Sequence, residues 1–187
     1  MEGLIYINQH WHGSAIINTF FKCVTFLGEA GIFWIVLGVA LICFRKTRIS
    51  GIVMLASILI GFCLNDFVLK NLIARPRPFV SNPEFAEFLE SISMKQPSGF
   101  SMPSGHSYVA FNGAMVLALF NKKGAWAFVL SFLIAFSRVF LCVHYPTDVL
   151  LGAILGVLTA LTVFASYVAI KRKIKSNFRE KIRKNEV

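Results

Sequence analysis

Charge is scarce in this chain. Charged residues fill 15% of the 187 positions, only nine of them acidic, whereas 56% are hydrophobic and 14% aromatic. Soluble domains carry charge at about a quarter of their positions, so this composition excludes both an ordinary soluble domain and a disordered chain. Cysteine is sparse as well. Cys23, Cys43, Cys63 and Cys142 each sit inside an apolar stretch, with no CxxC pair and no histidine at metal-ligand spacing. That pattern argues against a disulfide framework or a zinc site and predicts small buried hydrophobes. The first thirteen residues lack the basic start, short apolar core and small-residue cleavage site of a signal peptide, so no leader is expected to be removed. There is no tandem repeat and no sustained alternation of apolar and polar residues that would mark strands.

Long apolar runs are what the chain has in quantity. Val149 to Ile170 is 22 residues without a charge, long enough to cross a hydrocarbon layer of about 30 Å at roughly 1.5 Å per residue. Four further stretches come close: Cys23 to Phe44, Ile49 to Leu69, Gly105 to Asn121 and Gly124 to Val143, interrupted at most by Glu29, Asp66 or Arg138. Ser14 to Leu27 is shorter and carries Lys22, and reads either as a sixth span or as a helix lying in the interface. The fold class expected is therefore all-α and integral to the membrane, a bundle of five to six transmembrane helices.

The basic residues are sorted by side. Arg45, Lys46 and Arg48 lie between the first two spans, Lys122 and Lys123 between the third and fourth, and eight Lys or Arg follow Ile170. The positive-inside rule places these segments in the cytoplasm. Residues 1–170 are then expected to form one transmembrane domain and 171–187 a basic cytoplasmic tail. The formal charge of +10 becomes a topology signal and a contact for anionic lipids, and calls for no nucleic-acid partner. In the loop of about 30 residues between the second and third spans, Phe85, Phe88, Leu89 and Ile92 follow Asn82-Pro83 at helical spacing. They predict a short amphipathic helix, either covering apolar side chains at the mouth of the bundle or closing over a site.

Ionisable residues at membrane depth are costly, and here they gather at the outer end of the bundle. Lys70 and Arg77 are seven apart and would share a helical face if the helix ran on through Pro76, while Arg75 would point elsewhere, toward solvent or headgroups. Pro103-Ser104-Gly105-His106 opens the third apolar helix, offering free backbone N–H groups, a hydroxyl and an imidazole to an anion. Ser137-Arg138, then His144, then Asp148 close the set, with Asp148 spaced to accept a hydrogen bond from His144 Nδ1 and leave Nε2 free. Two histidines could ligate a metal, but three neighbouring cations would repel it, and no metal or other cofactor is expected. Gly152 and Gly156 are expected to pack within the bundle.

In order and spacing, these residues resemble the signature of the type 2 phosphatidic acid phosphatase superfamily, membrane lipid phosphatases that share an active-site pattern with vanadium haloperoxidases. Lys70, Arg77 and Pro78 meet its first motif, Pro103 to His106 its second, and Ser137, Arg138, His144 and Asp148 its third. The resemblance implies a six-helix core and a metal-independent phosphatase. His144 would be the nucleophile, Asp148 its orienting partner and His106 the acid and base. Lys70, Arg77, Ser104, Gly105 and Arg138 would hold the phosphoryl oxygens. An outward-facing site implies a membrane lipid phosphate as substrate. Undecaprenyl diphosphate leads phosphatidylglycerol phosphate and phosphatidate, and no obligate protein partner is evident. A soluble haloperoxidase and an anion transporter are the rivals, and the apolar spans weigh against the first.

Overall fold

The computed structural model describes residues 5–6 and 10–185, and among these every regular element is helical. Helix α1 (Ala15–Phe26) starts where Ser14 Oγ accepts a hydrogen bond from Ile17 N. A single turn at Glu29–Gly31 leads into α2 (Ile32–Cys43), so the run Cys23 to Phe44 is not the single span that its hydropathy predicts. The cause is Gly31, whose φ of 69° breaks the helix in a conformation that glycine adopts without strain. Ser14 to Leu27 accordingly forms a helix of its own, packed against α7.

Helix α3 (Arg48–Phe62) continues through a π-helical segment, Cys63–Leu69, to a final turn at Lys70–Ile73. It ends at Ala74, which sits in the left-handed region at φ 48° ahead of Pro76. Two outer helices follow, α4 (Pro78–Ser81) and α5 (Pro83–Ser91). Asn82 caps α5 by accepting from Glu84 N, and Phe85, Phe88 and Leu89 are buried on its inner face, as the periodicity predicts. They pack with Phe140, Leu141, Val143 and Tyr145, so α5 covers the loop that carries His144. The bundle is completed by α6 (Gly105–Phe120), α7 (Ala127–Phe140) and α8 (Pro146–Asn185).

Three helical stretches, those that begin at Arg48, Lys122 and Pro146, are long and apolar enough to cross a membrane; α1, α2 and α6 are shorter apolar helices. The basic residues after Ile170 are a continuation of α8, as far as Asn185. Cys142 is buried as expected, but Cys23, Cys43 and Cys63 are exposed on the apolar outer surface, where lipid takes the place of a protein core.

The pair α6 and α8 forms the centre of the bundle. A Cβ on Gly152 would lie 2.4 Å from Ser104 O, and one on Gly156 2.3 Å from Tyr108 O, so backbone meets backbone along this seam. Asn112 Nδ2 donates to Gly156 O at 3.1 Å while its Oδ1 accepts from Ser57 Oγ at 2.8 Å, which ties α3 to the same seam. Gly156→Val should therefore force the helices apart and destabilise the bundle by ~1–3 kcal/mol. Thermal unfolding of the detergent-solubilised protein measures this; an unchanged midpoint would contradict the close seam.

Candidate active site

The break at Ala74 determines how the first group of cations is used. Lys70 remains on the helix, its Nζ 2.5 Å from Asp66 Oδ1. Beyond Ala74 the chain leaves the helix, and Arg77 is extended at the start of α4. Arg75 and Arg77 both turn inward, and the expectation that Arg75 faces solvent or headgroups is overturned. Arg75 Nη1 donates to Asp148 Oδ1 at 2.7 Å and to Thr147 Oγ1 at 2.6 Å, and its guanidinium lies 3.9 Å over the Tyr145 ring. Arg77 is 5% exposed and is held by the carbonyls of Ser98, Gly99 and Val143.

A cavity of about 240 Å³ brings together Lys70, Arg77, Gly105, His106, Arg138 and His144, with Asp66 and Gly28 in its wall. Gly105 lies at the floor, where an added Cβ would be 3.9 Å from Lys70 Nζ and 3.8 Å from Asn65 Nδ2. Two of the predicted residues stand behind this lining. Ser104 is fully buried and caps α6, its Oγ accepting from Ser107 N and from Ser107 Oγ, so its hydroxyl serves the helix rather than the cavity. Asp148 is also fully buried, behind His144, where its carbonyl accepts from Ser104 N at 3.0 Å.

His144 sits in the turn between α7 and α8, and its ring is fixed from both ends. Arg77 Nη1 lies 3.2 Å from Nε2. A guanidinium can only donate, so Nε2 presents its lone pair and the ring proton is on Nδ1. That proton faces Asp148, as spacing predicts, with Nδ1 and Asp148 Oδ2 a long 3.6 Å apart. Ser101 stands between them, its Oγ 3.3 Å from Nδ1 and 2.5 Å from Asp148 Oδ2. Burial pushes the His144 imidazole down to about 3, with Arg138 and Arg77 reinforcing the shift and Asp148 opposing it. The ring is thus a neutral base at physiological pH, with Nε2 aimed at the cavity.

Two other groups at the cavity have unanswered hydrogen-bonding capacity. Arg138 is 2% exposed; its Nη1 donates to Thr25 Oγ1 at 2.5 Å, but its buried Nε has no partner. His106 Nε2 is likewise buried without a hydrogen bond, 3.5 Å from Glu29 Oε2. Sequence reasoning missed Arg75, Ser101 and Thr25. Ser101 alone had a local signal, since it lies three residues before Ser104 on the same loop.

Three cations and two histidines line one small cavity in an apolar helical bundle, an arrangement with the charge and the donors to take an anion. The profile of the PAP2 superfamily matches residues 49–172, and the chain belongs to that family. It is 36% identical over 126 residues to an undecaprenyl-diphosphatase of Sulfolobus acidocaldarius, covering 66% of this chain and 58% of that one. It is 31% identical over 145 residues to the bacitracin transport permease protein BcrC of Bacillus licheniformis, covering 75% and 68%. The fold is similar, with a TM-score of 0.68 and 29% identity over 91% of this chain and 87% of the other, to the crystal structure of a transmembrane PAP2-type phosphatidylglycerolphosphate phosphatase from Bacillus subtilis.

The unanswered Nε of Arg138 generates a prediction. Inorganic phosphate should raise the unfolding temperature of the wild type, and Arg138→Gln should abolish that rise while leaving the ligand-free protein at least as stable, because a buried unpaired cation has been removed. An equal phosphate effect in both proteins would place the anion elsewhere.

Proposed function

We propose that this chain is a membrane-embedded lipid phosphatase that hydrolyses a lipid diphosphate, undecaprenyl diphosphate foremost, through a phosphohistidine at His144. The observation that carries this reading is that Arg138 Nε, buried without a hydrogen-bond partner, and His106 Nε2, buried with only a long contact to Glu29, line the same cavity as His144. A bound phosphoryl group supplies acceptors for both.

In the first half-reaction His144 Nε2 attacks phosphorus, an N–P bond forms, and the P–O bond to the lipid breaks as protonated His106 gives its proton to the departing oxygen. In the second, His106 takes a proton from water, the resulting hydroxide attacks phosphorus, and the N–P bond breaks to release inorganic phosphate. Lys70, Arg77 and Arg138 offset the charge of the in-line transition state together with the Gly105 N–H at the start of α6, a task that metal ions perform in many other phosphoryl-transfer sites. Ser104 holds the geometry of that helix start. Positive charge growing on His144 is relayed through Nδ1–H and Ser101 Oγ to Asp148, whose other oxygen is steadied by Arg75.

The charge sorting supports a site at the extracytoplasmic face, with residues 171–187 in the cytoplasm. A lipid whose tail stays in the bilayer suits catalytic groups at the outer helix ends. The name of the Sulfolobus relative favours a prenyl diphosphate, and the Bacillus subtilis fold neighbour favours phosphatidylglycerol phosphate as the second substrate. The name of BcrC keeps a transport reading in view, and that reading predicts movement of substrate across liposomes without release of phosphate.

Purified protein given undecaprenyl diphosphate, phosphatidylglycerol phosphate and phosphatidate in parallel should release phosphate fastest from the diphosphate, in chelator as well as without it. His144→Ala should release none. Ser101→Ala should lower kcat by about tenfold with little change in KM, since it disturbs the charge relay and not the phosphate cradle. Full activity in His144→Ala, or loss of wild-type activity in chelator, would contradict the mechanism. For sidedness, a membrane-impermeant thiol reagent should label Ser93→Cys but not Ser176→Cys in intact cells, in a background lacking the native cysteines; the reverse pattern would move the site to the cytoplasm.

A further inference from the structure

A second cavity, of about 530 Å³, lies against the first, between the end of α1 and the loop that follows α5. The two share His106, Arg138 and Pro97, whereas His144, Lys70 and Arg77 line the smaller one alone. That division gives the larger cavity a direction. An in-line displacement expels the leaving group on the side of phosphorus away from the nucleophile, and the proton it needs comes from His106. The cavity that has His106 in its wall but not His144 is therefore where the leaving group lies.

The chemistry of that wall identifies the leaving group. Lys22 and Lys95 both line it. Lys22 Nζ donates to Ile92 O, which fixes its ammonium against the loop after α5, and Lys95 is exposed beside it. Glu29 is the single acidic residue of the lining, 60% exposed and turned toward His106, so the wall keeps a cationic excess. Phe26, 74% exposed, forms an apolar lip on the outer surface of α1. Two ammonium groups offer nothing to a hydrocarbon chain and bond a neutral hydroxyl more weakly than an anion. They suit an anion that remains attached to the tail after the terminal phosphate is transferred.

We propose that this second cavity binds the lipid-proximal phosphate of a diphosphate substrate, with Lys22 and Lys95 as its ligands, and that these two lysines make the protein selective for diphosphates over phosphomonoesters. The proposal rests on the phosphatase reading above and adds the residues that select the diphosphate. It assigns a role to Lys22, the charge that makes Ser14 to Leu27 an imperfect span.

The test compares phosphate release from a prenyl diphosphate and from the prenyl monophosphate of the same chain length, by purified protein in detergent. Lys95→Ala and Lys22→Met should each raise KM for the diphosphate by about tenfold or more and change KM for the monophosphate less than twofold. Lys22→Arg should restore the diphosphate KM. Equal effects on both substrates, or none on either, would overturn the proposal, as would a wild type that hydrolyses the monophosphate but not the diphosphate. In that last case the phosphatase reading survives. A wild type that releases phosphate from neither substrate contradicts the phosphatase reading itself.

Discussion

Arg138 is a buried cation that forms no ion pair among the described residues. Its guanidinium is 2% exposed, its side-chain hydrogen-bond partner among the described residues is the neutral Thr25 hydroxyl, and Arg77 and Lys70 border the same cavity. Removing such charges from water costs several kcal/mol each unless an anion compensates them. The carboxylates at hand do so only in part, since Asp66 is held by Lys70, Asp148 by Arg75 and Ser101, and Glu29, which lines the neighbouring cavity with Arg138, is 60% exposed and turned toward His106. Among the described residues the cavity thus keeps a local excess of positive charge, and a phosphoryl group has the charge and the acceptor atoms to offset it. On the function proposed above, stability is given up at this point in return for binding a phosphate, and binding it more tightly as its charge spreads in the transition state.

The rest of the bundle keeps these repelling groups together. The seam of α6 and α8, closed through Gly152 and Gly156, ties the helix start at Ser104 to Asp148, and with it the His106 side of the cavity to the His144 side. Helix α5 packs Phe85, Phe88 and Leu89 beneath the turn that presents His144, so the amphipathic helix is a fixed cover over that turn. Apolar packing also excludes water from His144, which keeps its imidazole neutral, with the Nε2 lone pair directed at Arg77.

Most of the site is legible in the sequence because its residues fall at helix ends, where spacing and charge are read directly. Gly105, His106, Arg138 and His144 occupy the cavity for the reasons their positions imply. Lys70 and Arg77 arrive there too, but not as one helical face. The left-handed turn at Ala74 ends the helix, and the same turn brings in Arg75. A positive φ at an alanine has no sequence signature, so the Arg75–Asp148 pair was hidden. Ser101 and Thr25 were hidden for a different reason: each acts across a contact between segments distant in the chain, which periodicity cannot express. In the fold, the apolar bundle was legible from run length, whereas the division of Cys23 to Phe44 turned on the backbone of Gly31 and the exposure of three cysteines on a surface that faces lipid. Burial rules written for water predict the wrong side for those cysteines.

The central claim is that the phosphoryl group passes through His144 Nε2. Rapid acid-free quenching of the first turnover on a prenyl diphosphate labelled in its terminal phosphate, followed by peptide mapping, measures it directly. The account predicts label on the peptide containing His144, stable in base and labile in acid, appearing before free phosphate and absent when His144 is replaced by alanine. Release of labelled phosphate at the full rate without any labelled protein, or label on His106, would contradict it.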